Sequence, residues 1–169
     1  MNTLNDAEKV ARLVREAGGK IVGRTRLQKI ACLLELANVG DGFRFSYHHF
    51  GPYSEDLSSA AETAEIFDMV HAETKNASWG GTYSIYTTND CMVAESSVRK
   101  GIIDATVNAG AIVLELAATA AYLAATKVDN PWNEVQERKP EKATPDKMKE
   151  AKALYAQLLT VAPSLPAII

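Results

Sequence analysis

The sequence predicts an α+β protein, mostly α, from three observations. Apolar residues recur at helical spacing through most of both halves. The first half also carries one aromatic strand pattern, Phe43 to Phe50, and a pair of short strand patterns about Gly80-Gly81. The second half shows helical patterns alone. Two helices, a strand, a third helix and a hairpin is the order of a winged helix. Residues 1–92 are therefore expected to form a winged-helix-like part with three helices, a short strand and a β-hairpin. Residues 93–169 are expected to form a helical lobe packed on it in one compact domain, as a chain of 169 residues allows.

The elements follow in order. Residues 5–17 read as a helix with Asn5 and Glu8 as a capping box and Ala7, Val10, Ala11, Val14 and Ala17 on one stripe. Gly18-Gly19 ends it. The second helix is expected to start at Thr25 as N-cap with Gln28 completing the reciprocal pair, and Leu27, Ile30, Ala31, Leu34 and Ala37 repeat along it. Arg24, Arg26 and Lys29 stand near its start, where the helix dipole favours acids, and basic groups placed so often have a partner. A solvated face is the plainer reading.

Asn38, Gly40 and Gly42 break the chain before FRFSYHHF. On a regular strand His48 and His49 point to opposite faces and cannot share a metal, so one is expected to pack and the other to stay exposed. Gly51-Pro52 reads as a turn, and Ser54 as the cap of a third helix reaching Val70. Leu57, Ala60, Ala61, Ala64 and Phe67 form its apolar stripe, widened by Ile66 and Met69. Val70–Lys75 and Thr82–Thr88 read as a hairpin with Trp79 in its loop.

Residues 95–107 and 109–126 read as two helices meeting near Asn108–Gly110. A short helix begins at Pro131 and stops at Lys139-Pro140. The last helix runs from Pro145 to about Val161 behind Thr144, with Met148, Ala151, Leu154, Tyr155 and Leu158 as its stripe. The apolar tail VAPSLPAII is expected either to pack back on the body or to meet another chain, which makes a homodimer through it one expectation.

Composition narrows the function. A net charge of −3 gives no global attraction to nucleic acid or anionic membrane. Cys32 and Cys91 match neither a disulfide framework nor a zinc spacing, and Cys32 falls on a buried helix face. The run Val107–Ala125 is long enough to raise a membrane span, but Asn108 and Glu115 inside it favour a buried central helix. The N-terminus has no signal-peptide pattern, and the location expected is cytoplasmic.

The chain shows no phosphate loop and no nucleophile elbow, so no catalytic residue, metal site or cofactor is expected. His49 with Tyr53 or Ser54 and an acid could be assembled into a proton-transfer site, but almost any protein offers such a set. A DNA-reading third helix should be basic; this one carries Glu55, Asp56, Glu62, Glu65 and Asp68 and no base. The reading favoured is a non-enzymatic protein-binding module. Arg24, Arg26, Lys29, Tyr47, His49 and Tyr53 are its candidate contacts, and Gly23, Thr25, Leu27, Gln28, Gly51, Pro52 and Ser54 are its structural motif. The alternative is a winged-helix-like DNA-binding, transcriptional or defence-associated regulator.

Two segments carry a family resemblance: GRTRLQKIACLLELA and FRFSYHHFGPYSEDL. Together they resemble the pattern G-R-T-K-L-Q-K-L-x-Y-L-L … F-x-Y-x-x-Y-G-P-Y-S-x-x-L of the bacterial and archaeal YwgA-like proteins, which are largely uncharacterised. LELAATAAYLA, the tryptophan-bearing segment after it and the RKPEKAT step are similar to the C-terminal half of that family. The motif falls on Gly23, Arg24, Thr25, Leu27, Gln28, Lys29, Tyr47, Gly51, Pro52, Tyr53 and Ser54. The chain departs from it with Arg26 for lysine, Ala31 or Cys32 near a tyrosine, and Phe50 before Gly-Pro. A looser similarity reaches the Panacea-type antitoxin domain. That resemblance implies direct binding of a toxin-like protein, sometimes as an adaptor for proteolysis.

Overall fold

The computed structural model describes residues 3–49 and 51–168. Helix α1 (Thr3–Glu16) is followed by strand β1 (Lys20–Val22) and helix α2 (Arg24–Leu36). Strands β2 (Ser46–His48) and β3 (Gly51–Tyr53) lead into α3 (Glu55–Ile66), and β4 (His71–Asn76) and β5 (Thr82–Thr87) follow. The rest is helical: α4 (Ser97–Thr106), α5 (Ala111–Ala125), α6 (Pro131–Arg138) and α7 (Pro145–Val161). The fold is α+β, mostly α.

Strand β5 is central in an antiparallel sheet of order β1-β5-β4, with Val22 opposite Ile85 and Lys75 opposite Tyr83. The separate β2-β3 ribbon pairs His48 with Gly51 and Tyr47 with Pro52. Helix α1 packs on α3, and α5 packs against α2, α6 and α7. Ten of the fifteen residues of α5 are buried, Glu115 among them, as a central helix requires. One hydrophobic cluster runs from Ala7 and Val10 through α2 and α5 to Leu158 and Leu165. Cys32 is sealed in it, and burial pushes its thiol up to about 12.

Several boundaries differ from expectation for local reasons. Helix α1 already includes Thr3, so Asn5 and Glu8 lie within its first turns rather than at a cap. Helix α2 has Gly23, not Thr25, at its N-cap, because the chain passes into it straight from β1, with the Gly23 N–H donating to the Ser84 carbonyl at 2.7 Å. Gly23 sits at φ +98°, which a side chain would resist. The aromatic stretch is a strand only at 46–48; Gly51-Pro52 belongs to the returning strand rather than to the turn. A two-stranded ribbon has open edges, where a proline without an N–H is tolerated. Phe50 lies outside the described residues.

His48 and His49 are both exposed, because the ribbon ends at His48 and neither ring reaches the core. Ser54 does cap α3, its Oγ accepting from the Leu57 N–H at 3.1 Å. That helix stops at Ile66, and Asp68 turns the chain with φ +55°. The buried stripe therefore ends at Ala64, leaving Ile66 75% and Phe67 59% exposed where burial was expected. Met69 still packs against the core.

The tail folds back on its own chain. Leu165 is buried, Ile168 packs against the core, and the Ser164 hydroxyl donates to the Ala37 carbonyl at 2.8 Å. Tyr155 Oη donates to the Pro166 carbonyl. Leu165 is thus not available to a second copy, and Ile169 lies outside the described residues. Among the described residues no helix is long and apolar enough to cross a membrane.

Candidate functional site

The motif residues meet where α2, α5 and the β2-β3 ribbon touch. The Gln28 amide closes a ring with one backbone residue, donating to the Ser54 carbonyl at 3.0 Å and accepting the Ser54 N–H at 2.8 Å. One turn-step on, the Lys29 ammonium donates to the Pro52 carbonyl at 2.7 Å. Both side chains are buried, and both hold backbone that the ribbon cannot satisfy itself. Gly51 lies over α5: a Cβ there would sit 2.4 Å from Thr119 Oγ1, and its φ is +91°. The glycine is required twice, by conformation and by close approach.

Below this clamp lies Glu115 of α5, which the apolar run around it marked as anomalous. Lys139 donates to Glu115 Oε1 at 2.7 Å and to the His49 carbonyl at 3.3 Å. Lys142 reaches both carboxylate oxygens, at 3.0 and 2.9 Å. One buried carboxylate therefore anchors the α6–α7 connection to the central helix. Burial, partly offset by the field of Glu115, lowers the Lys29 pKa to about 8. Lys29 is thus a core strut, neither a docking group nor part of a solvated face.

Arg26 is committed as well. Its guanidinium donates to the carbonyls of Val22 (3.0 Å), Thr106 (3.0 Å) and Ala109 (2.5 Å), tying α2 to the α4–α5 turn, and burial lowers its pKa. Tyr47 is half-buried, with the Arg138 guanidinium 4.6 Å above its ring and Tyr122 beside it at 6.5 Å. Tyr53 packs on the His48 ring at 5.0 Å. The His49 side chain is exposed, its carbonyl held by Lys139. Arg24 alone of the three bases is exposed; burial raises the Tyr86 pKa, and the charge of Arg24 opposes that rise. Gly23, Thr25 and Leu27 serve the entry into α2. The structure brings Gln28, Lys29, Gly51, Pro52 and Ser54 together; it does not bring the six candidate contacts onto one surface.

A second ionic cluster was not foreseen. Arg99 of α4 donates to Glu16 (2.6–3.1 Å), to Asp41 at 3.1 Å and to the Val39 carbonyl at 3.0 Å, and Arg12 pairs with Asp41. Burial opposes the Arg99 charge, but the bonds and fields of Glu16 and Asp41 outweigh it and its pKa is raised. These partners stand 58 and 83 residues away in sequence, a separation no periodicity reveals.

A shallow cleft of about 310 Å³ lies between α1 and α3, lined by Asp6, Lys9, Phe43, Arg44 and Asp56 among others. Its charges pair with one another, Lys9 with Asp6 and Arg44 with Asp56, both at 3.1 Å. Among the described residues no group of three or more His, Cys, Asp or Glu is placed to hold a metal ion. The exposed side of α3 is different: Glu62, Glu65, Ile66, Phe67 and Asp68 all face solvent.

No protein-family model and no solved structure matches the chain. It is similar to the uncharacterized protein YwgA of Bacillus subtilis (strain 168), 27% identical over 110 residues, which is 62% of this chain. The match spans 66% of that protein, less than two thirds of its length. This supports the YwgA-like family that the motif pattern implies.

Proposed function

We propose that the protein is a non-enzymatic binding module that engages another protein, in the manner of an antitoxin or an adaptor. The observation that carries this reading is the exposed side of α3. A large apolar pair, Ile66 and Phe67, stands there among carboxylates. Exposed apolar surface rimmed by charge favours a protein partner over solvent. The motif residues support the same reading from below, since they hold the β2-β3 ribbon and the start of α3 in one position. The partner that the looser Panacea-type resemblance implies is toxin-like.

The order helix, strand, helix, ribbon, helix, hairpin, with the first strand paired to the second hairpin strand, suits a winged helix that carries the β2-β3 ribbon as an insertion, and hence the DNA-binding alternative. Charge weighs against it. The helix that would enter the groove shows Glu55, Glu62 and Glu65 outward and no base, and phosphate repels such a face.

Affinity purification from the native host tests the reading. A stoichiometric protein partner that survives nuclease treatment and stays bound through purification is expected. A salt-dependent shift of duplex DNA, with no protein partner, would instead establish the regulator.

A further inference from the structure

We propose that the C-terminal end of α3 is a docking site for a cationic segment of the partner protein, one that sets an apolar side chain on Ile66 and Phe67 and lysines or arginines on Glu62, Glu65 and Asp68. This rests on the protein-binding reading and names the chemistry of the partner.

A single exposed apolar residue needs no explanation. Here two adjacent large ones are 75% and 59% exposed at a point where the helix has ended and the chain has turned away, so none of the described residues covers them. The flanking charges decide what can. Among the described residues none of Glu62, Glu65 and Asp68 forms an ion pair, whereas Asp6, Asp56, Glu73 and Glu134 each have one. Arg24, whose charge acts on the Tyr86 hydroxyl together with those of Glu65 and Glu62, forms no ion pair with either carboxylate. Three unpaired carboxylates around an apolar pair complement a basic, apolar segment. They repel nucleic acid, and they repel a second copy, because a two-fold contact through this patch would bring two acidic rims together with no base between them.

The sequence reading set the interaction on the basic start of α2 and the ribbon; the proposal sets it on the opposite-signed side of α3. Steering by the carboxylates makes association salt-sensitive, while the apolar contact sets the lifetime of the complex.

The test uses the full chain, ¹⁵N-labelled, with a 14-residue amphipathic helical peptide carrying a leucine stripe and lysine flanks. Its counterpart with glutamate flanks and its counterpart with serine in place of leucine are the controls. The lysine–leucine peptide is expected to shift the amides of residues 62–68. Phe67→Ser, and Glu62→Lys combined with Glu65→Lys, are each expected to weaken binding at least tenfold without lowering the melting temperature. No shift at millimolar peptide, shifts centred elsewhere, or equal binding of the glutamate peptide overturns the proposal. So does a concentration-dependent dimer abolished by Phe67→Ser, which would assign the patch to a second copy. A native partner that still co-purifies with Phe67→Ser overturns this site but leaves the protein-binding reading standing; duplex DNA binding with no partner overturns both.

Discussion

Gln28 satisfies both backbone groups of Ser54, and Ser54 is fully buried, so water cannot replace it. Gln28→Ala strands a donor and an acceptor together and is expected to cost about 2–4 kcal/mol, read as a lower denaturation midpoint at unchanged slope. Gly51→Ala meets Thr119 Oγ1 and is held at φ +91°. Adding Thr119→Ala should recover the steric part and leave about 1–2 kcal/mol of backbone strain. Full recovery would mean that the conformation is not strained. Lys29 makes a prediction in pH. Its folded pKa, about 8, lies below its ordinary value of 10.5, so between those two values the unfolded chain binds more protons. Stability from this group is least below pH 8, where the buried ammonium is desolvated at full cost, and rises as pH climbs through that window. Wild type should therefore gain stability from pH 7 to 9.5 relative to Lys29→Met. An equal pH dependence in both would place Lys29 in a solvated setting.

At the scale of elements, legibility tracked how local the stabilising interactions are. Helix α7 could be read end to end, Pro145 to Val161, because a threonine cap, a proline in the first turn and a five-residue stripe all lie within it. The β4-β5 hairpin was equally clear, since two alternating strands about a glycine pair define their own register. The start of α2 was not, because β1 pairing and the positive φ of Gly23 set it, and a three-residue strand leaves almost no periodicity to detect. The end of α3 was missed for the same reason: Asp68 turns the chain before the stripe is exhausted. The tail carried two readings in its composition, and in the structure it packs back, with Leu165 buried among residues distant in sequence. Leu165→Ala is expected to lower stability by about 2–4 kcal/mol at any protein concentration. A concentration-dependent effect would instead point to contact between chains.

Over the whole molecule, two buried ionic clusters join parts of the chain that composition cannot connect. Glu115 holds Lys139 and Lys142, and Arg99 holds Glu16 and Asp41. Removing the carboxylate that both lysines share should be more damaging than any surface change. Glu115→Gln leaves two lysines against a buried neutral amide and is expected to cost about 3–5 kcal/mol in equilibrium denaturation. Because the hydrophobic cluster is continuous across residues 7–165, far-UV circular dichroism and Trp132 fluorescence, in a Trp79→Phe background, are expected to report one coincident transition. Two separate transitions would show that the segments 1–92 and 93–169 hold independent cores.

By itself the sequence determined the α+β class, most helices, the central burial of α5 and the density of constraint between Gly23 and Ser54. Each of these is encoded in neighbours a few residues apart, through apolar period, caps and turn residues. Tertiary structure alone decided what that constraint is for. Gln28, Lys29 and Gly51 are spent on holding one ribbon against α5, because a buried backbone carbonyl needs a donor and only distant side chains reach it. With Lys29 and Arg26 turned inward, the binding proposed above is assigned to the acidic, apolar end of α3. Sequence can count charges and apolar residues, but which of them meet water is fixed by where the rest of the chain lies.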